Sequence, residues 1–296
     1  GVIAENNNRA ILQNTFILYI RLLVVSVCGL LTTRYALQAL GVSDFGLFSV
    51  VGGVVSFMAI FNTIMLSTSN RFIAIAIGKN DINEINSSFN VNLLVHVVIA
   101  VVTMMMAIPV GNWYIANYIN FDGDINLAIK VFNVTIIGSV ISFVGVPFNG
   151  LLMAKERFFV FCFTDMISSV LKMIGAWSLL YFFEDKLMAY AMLLSVLSAY
   201  PTLVFLFYCK RKFPDYVRYR LVRDRKRYHE VFKFSIWVGY GALATMGKNQ
   251  GSALIVNNFF NTIMNAALGI ANMVNNIVHV FAANMTKSIA PQITKT

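Results

Sequence analysis

Charge is scarce in this sequence. Only 12% of its 296 residues are Asp, Glu, Lys or Arg, where soluble domains carry roughly 25%. Hydrophobic residues make up 58%, and the apolar runs leave no stretch long enough for a water-soluble domain. Cysteine is equally sparse. Cys28, Cys162 and Cys209 lie far apart inside apolar runs, without paired spacing or an accompanying histidine, which excludes a disulfide framework or a thiolate metal site and predicts buried thiols. The motifs that carry chemistry are missing too: no Gly-rich phosphate loop ending in Lys-Ser/Thr, no His-Glu-x-x-His, no Gly-x-Ser-x-Gly and no paired carboxylates within one loop. The chain is therefore read as no enzyme, with no catalytic residue, no metal and no cofactor. A cleavable signal is not expected, because the first apolar run after Arg9 continues past Leu31 without a small-residue cleavage site.

What is present is an all-α polytopic membrane protein. A bilayer core about 30 Å thick takes roughly 20 apolar residues per helix. Eight such runs emerge: 11–33, 45–66, 88–110, 127–152, 158–183, 187–209, 231–260 and 262–291. Helices are required, because unpaired backbone groups in hydrocarbon cost several kcal/mol each. Gly52, Gly53, Gly138, Gly145 and Gly241 fall within the runs and are expected to mark close helix contacts.

Basic residues set the expected orientation. Arg9, Arg71, Lys79, Lys155, Arg157, Lys287, Lys295 and the ten between Lys210 and Lys233 fall on one side, 17 of the 23 in the chain. The alternate loops hold only Arg34, Lys130 and Lys186 beside Asp44, Asp122, Asp124, Glu184 and Asp185. This places the N-terminus in the cytoplasm and Trp113, Tyr114 and Tyr118 at the outer interface. The net charge of +10 is then mostly topology, and a nucleic-acid partner is not expected. Near an anionic leaflet each Lys or Arg contributes about 1 kcal/mol, so the loop "KRKFPDYVRYRLVRDRKRYHEVFK" should lie along the membrane surface.

That loop divides the chain into a six-helix lobe over 1–209, a basic inter-lobe linker over 210–230, and the first two helices of a second lobe over 231–296. At an offset of 220, Thr15 meets Ser235, Val50 meets Ile270, Val54 meets Val274, Phe61 meets Phe281, Met65 meets Met285 and Ile73 meets Ile293. An ungapped match of this kind is what parallel repeats of six helices would leave, with the second repeat cut short after "APQITKT".

Charges at the bilayer centre cost about 2.5–3.5 kcal/mol each and usually face the bundle interior. Arg21, Asp165, Lys172 and Lys248 lie inside predicted spans and sum to +2. Polar stripes at helical spacing accompany them: Asn14, Arg21 and Cys28; Ser49, Ser56 and Thr63; Thr135, Gly138, Ser142, Gly145 and Asn149; and Asn265, Asn272, Asn276 and His279. Two readings are open. Either the charges look into a wet chamber shared by these helices, or each pairs with a neighbour, such as Asp165 with Arg21, and locks the bundle. Asp165 and Lys172 are two turns apart, about 10 Å along a helix, too far for a direct pair. His96 reads as a satisfied core histidine.

The stretches "NTFILYIRLLVV", "LGVSDFGLFSVVGGVVSF", "STSNRFIAIAIGKND", "VPFNGLLMAKERF", "GKNQGSALIVNNFF" and "GIANMVNNIVHVFAANMTKSIAPQITK" together resemble the bacterial polysaccharide or O-antigen flippases of the Wzx type, within the multidrug, oligosaccharidyl-lipid and polysaccharide exporter superfamily. The resemblance implies two six-helix lobes around a central cavity in the inner membrane. It implies a lipid-linked oligosaccharide as substrate, membrane lipids and the polysaccharide polymerase machinery as partners, and a role in lipopolysaccharide or related polysaccharide biosynthesis. A cavity lined with cations maps onto Arg21, Lys172 and Lys248. Asp165 would tune or couple to an ion, and Asn149, Asn272, Asn276 and His279 would meet the sugars. The alternatives are a multidrug and toxin extrusion exporter, which would need a carboxylate-rich cavity, and a non-transporting membrane scaffold, which would leave the charges paired.

Overall fold

The computed structural model describes residues 2–118 and 123–259, together with 271, 275, 278–280, 282–283 and 286; side chains are described at 13–48, 51, 60–118, 123–245, 248 and those isolated positions. Among the described residues the protein is helical throughout, without strands. The elements are α1 (Val2–Gly78), α2 (Ile82–Tyr118), α3 (Ile125–Ala154), α4 (Phe158–Phe182), α5 (Lys186–Lys212), α6 (Pro214–Val217) and α7 (Arg225–Phe259).

Local chemistry sets the corners. α1 is two arms joined by a kink at Gly41, whose φ of 77° lies in a region that a residue with a Cβ rarely adopts. The turn to α2 is short: Asn80 takes φ 54°, and the Asp81 side chain accepts the Asn83 amide at 2.8 Å. Asp124 caps α3 by accepting the Asn126 amide, and Asp185 caps α5 by accepting the Met188 amide. Glu156 at φ 58° completes the α3–α4 turn, where the Arg157 amide donates to the Leu152 carbonyl at 2.8 Å. Lys210, Arg211 and Lys212 close α5, where positive charge complements the carbonyl end of a helix.

Six segments are long and apolar enough to cross a membrane: Gln13–Phe48, Ile60–Gly78, Ile82–Tyr118, Ile125–Ala154, Phe158–Phe182 and Lys186–Lys212. Together with their outward apolar side chains, Leu30 74%, Phe207 70%, Met105 68% and Val196 67% exposed, they make this a multi-pass membrane protein. The six predicted spans before the basic segment are all present, with shifted ends. The second predicted span stops at 66, but α1 continues to Gly78, so Arg71 is helical and its guanidinium sits 4.6 Å over the Phe234 ring. α7 runs through 231–259 of the seventh predicted span but is not among these six segments; residue 260 and, apart from isolated positions, the eighth predicted span lie outside the described residues.

α3 is the central helix, packing against α5, α2 and α1, while α4 packs on α1 and α5. Its glycines make this possible. A Cβ at Gly138 would meet the Ser195 backbone, one at Gly145 would meet Thr202, and one at Gly150 would meet Ser69. At Gly241 no atom of the described residues lies within 4 Å of the Cβ position, and the Gly52 and Gly53 side-chain positions lie outside the described residues. One apolar cluster gathers Phe48, Phe132, Ile136 and Phe143; a second, near the basic end, gathers Phe89, Phe148, Leu151 and Phe205. Cys28, Cys162 and Cys209 are buried and form no disulfide among the described residues.

Candidate functional site

Arg21 is 20 residues before the Gly41 kink, on the first arm of α1, and Asp165 is two turns into α4. The α1–α4 packing brings them together. Arg21 donates through Nε and Nη2 to Asp165 Oδ2, at 2.6 and 2.5 Å, with the two side chains 21% and 30% exposed. The guanidinium also lies 4.6 Å over the Phe161 ring, one turn before Asp165. Arg21 is thus held by two residues of α4, Asp165 and Phe161, the locked-bundle arrangement.

Lys172 lies on the same helix, two further turns along, half-buried and about 15 Å by rise from the Phe182 end of α4. The lysine has no carboxylate within ion-pair distance among the described residues. Asp165 is thus taken by Arg21, and Lys172 is left without a carboxylate partner among the described residues. Lys248, on α7, is exposed, as is His279. Nothing in the described contacts joins either to Arg21. Asn272 and Asn276 lie outside the described residues.

The α3 stripe divides. Thr135 donates to its own helix at Val131 and Ser139 to Thr135, the ordinary fate of a hydroxyl in a helix. Gly138 and Gly145 serve the α5 contact. Ser142 accepts from Asn62 of α1 at 3.4 Å. Asn149 is half-buried, and its Oδ1, like that of Asn70 on α1, is buried without a hydrogen-bond partner among the described residues. His96 is a satisfied core residue: Nδ1 donates to the Asn92 carbonyl at 2.6 Å, and Nε2 is 3.3 Å from both the Ser69 hydroxyl and the Met65 carbonyl.

The structure adds residues that sequence reasoning missed. At the basic end Glu84 of α2 accepts from Arg227 at 2.8 Å and from Lys79 at 3.3 Å, while Arg227 also binds Asp224 at 3.2 Å. The hydrogen bond to Glu84 raises the Arg227 pKa above its ordinary value, so the guanidinium stays charged at any accessible pH. This network walls a cavity of about 370 Å³ floored by Phe72, Val91 and Val231, between α1, α2 and the start of α7. Thr68 and Ser235 hydroxyls, 3.1 Å apart, continue the α1–α7 contact. Asn86 and Asn90 bind the segment after α5 through its backbone. Their signal was an Asn pair one helical turn apart just ahead of an apolar run.

The fold is shared with solved transporters. A mutant MATE superposes with a TM-score of 0.80 at 15% identity, covering 96% of this chain and 64% of that one. A MOP superfamily transporter from Pyrococcus furiosus, described as having a binding pocket of reversed polarity, gives 0.75 at 15% identity over the same shares. A mutant of the Vibrio cholerae MATE transporter VcmN gives 0.79 at 12% identity, over 100% of this chain and 67% of that one. The chain thus spans roughly two thirds of the length of these structures. No curated protein matches. Residues 39–295 match the family described as "Polysaccharide biosynthesis protein", most of the length, and the chain belongs to that family.

Proposed function

We propose that this chain supplies the first lobe and the start of the second lobe of a flippase. It moves an undecaprenyl-pyrophosphate-linked oligosaccharide from the cytoplasmic to the outer leaflet of the inner membrane. The basic end faces the cytoplasm in this reading. The observation that carries the proposal is the α1–α4 seam, where Arg21 takes the carboxylate of Asp165 while Lys172, two turns further along α4, has no carboxylate within ion-pair distance among the described residues. A pyrophosphate headgroup cannot cross hydrocarbon without compensation for its lost hydration. Lys172 offers the unpartnered cation, and Arg21 offers a second, planar donor set when Asp165 yields it. Asp165 would then tune the site by competing with the headgroup. Lys248, Asn149, Asn272, Asn276 and His279 remain proposed contacts for the headgroup and sugars, and linkage to polysaccharide polymerase machinery belongs to the same proposal. An anion leaving a negative-inside cell gains about 2.3 kcal/mol per charge per 100 mV, so the resting potential drives export.

One acid between two bases disfavours a drug exporter for cations, whose site would want the opposite balance. The Arg21–Asp165 pair does favour a second reading, a membrane scaffold in which paired charges only lock helices. Polysaccharide export by cells carrying Lys172→Ala or Lys172→Arg separates the two. The flippase reading expects export lost in the first and retained in the second, with equal protein in the membrane. Wild-type export by Lys172→Ala would leave the scaffold.

A further inference from the structure

The segment between α5 and α7 is a strap held by its backbone. After the single turn of α6, residues 218–224 run without helix. Asn86 Nδ2 donates to the carbonyls of Asp215, Tyr216 and Arg218, at 3.2, 3.1 and 2.7 Å. Asn90 Nδ2 donates to the Arg218 carbonyl at 3.0 Å, and its Oδ1 accepts the Arg220 amide at 3.1 Å. Both asparagines are buried, 7% and 5% exposed. Val217 is buried between them and the core, the Lys155 ammonium lies 4.7 Å over the Tyr216 ring, and the Tyr228 hydroxyl donates to the Val222 carbonyl.

With the backbone used inward, the side chains are left outside. Arg218, Arg220 and Arg223 are exposed, and none has a carboxylate within ion-pair distance among the described residues. Between them stand Tyr219 and Leu221, 74% and 55% exposed. An apolar side chain so placed is costly in water, but a tyrosine or leucine among arginines suits the layer where headgroups meet acyl chains. Depth agrees. α2 has 37 residues, about 55 Å, against a core of about 30 Å, so some of its length must stand in the headgroup layers. Asn86 and Asn90 hold the strap within about 12 Å of the basic end of that helix.

We propose that this strap is a docking surface for the anionic phospholipid headgroups of the leaflet at the basic end. Arg218, Arg220 and Arg223 neutralise phosphates, while Tyr219 and Leu221 enter the interfacial layer. Lys210, Arg211 and Lys212, exposed at the end of α5, extend the same positive field. The asparagine clamp fixes the backbone that carries Arg218 and Arg220 instead of leaving it a free loop.

The test uses the purified full-length protein in mixed micelles holding phosphatidylcholine and phosphatidylglycerol in equal amounts, with retained lipids counted by native mass spectrometry. Wild type is expected to retain phosphatidylglycerol preferentially. The triple variant R218Q/R220Q/R223Q should lose that preference by about 10- to 100-fold, and R34Q/K130Q/K186Q, the same charge change at the opposite end, should keep it. A second arm needs no loss of charge: the indole emission of Y219W should shift to the blue and escape iodide in nanodiscs containing phosphatidylglycerol, relative to phosphatidylcholine alone. Equal phosphatidylglycerol preference in the two triple variants overturns the proposal. So does a Y219W signal that iodide quenches equally in both nanodiscs, the behaviour of a surface that awaits a soluble protein.

Discussion

Replacing Asp165 by Asn keeps the shape of the α1–α4 contact and removes its negative charge. In the native seam that carboxylate receives both Nε and Nη2 of Arg21, with both side chains partly exposed. The variant leaves a guanidinium whose remaining described contact is the face of Phe161. Breaking one side of a buried pair costs about 3–5 kcal/mol, because the surviving charge is stranded. Here the partial exposure of both side chains and the retained ring contact, about 1 kcal/mol, lower the expected loss to about 2–3 kcal/mol. Unfolding of the purified protein with rising dodecyl sulfate fraction, followed by circular dichroism, measures it. The double variant Arg21→Met with Asp165→Asn should recover most of the loss, giving a coupling of about 2 kcal/mol, since it removes the stranded charge. If Asp165→Asn lies within about 0.5 kcal/mol of wild type, the size of an ordinary surface change, the pair does not hold the helices together and the reasoning fails.

Further outcomes follow from the same contacts. Asn86→Ala with Asn90→Ala should release the strap, and trypsin should then cut between Arg218 and Arg223 at least several-fold faster than in wild type, while the melting of the helical bundle changes little. Gly138→Val should force α3 from α5 and cost about 1–3 kcal/mol or more in the same unfolding assay, because its Cβ meets backbone that cannot yield. Cys162 and Cys209, both fully buried, should resist a water-soluble maleimide in native protein and react after denaturation.

The spans were legible because a membrane helix declares itself by length and lack of charge, properties of the sequence alone. Their ends were less so. Arg71 looked like a loop residue, yet the helix carries on past it because Phe234 covers its guanidinium, a contact from a residue far along the chain. Arg21 and Asp165 stood out as intramembrane charges, but only packing decides that they meet. Lys172, with the same sequence signature, does not share that fate. Asn86 and Asn90 passed unnoticed because an asparagine near a helix start has many uses. Which backbone it binds depends on a segment about 130 residues away. Gly138, Gly145 and Gly241 look alike in the sequence, yet only the first two meet a neighbouring helix among the described residues, since nothing local distinguishes one glycine from another.

The central claim is that an uncompensated cation in the α1–α4 seam holds an anionic lipid headgroup. The most direct measurement is the equilibrium binding of a polyprenyl-pyrophosphate-linked sugar to the full-length protein in nanodiscs, for wild type, Lys172→Gln and Lys172→Arg. Binding should weaken at least about 10-fold in the Gln variant and persist in the Arg variant, as a hydrogen bond or pair to a charged group would require. Equal affinity in all three would contradict it.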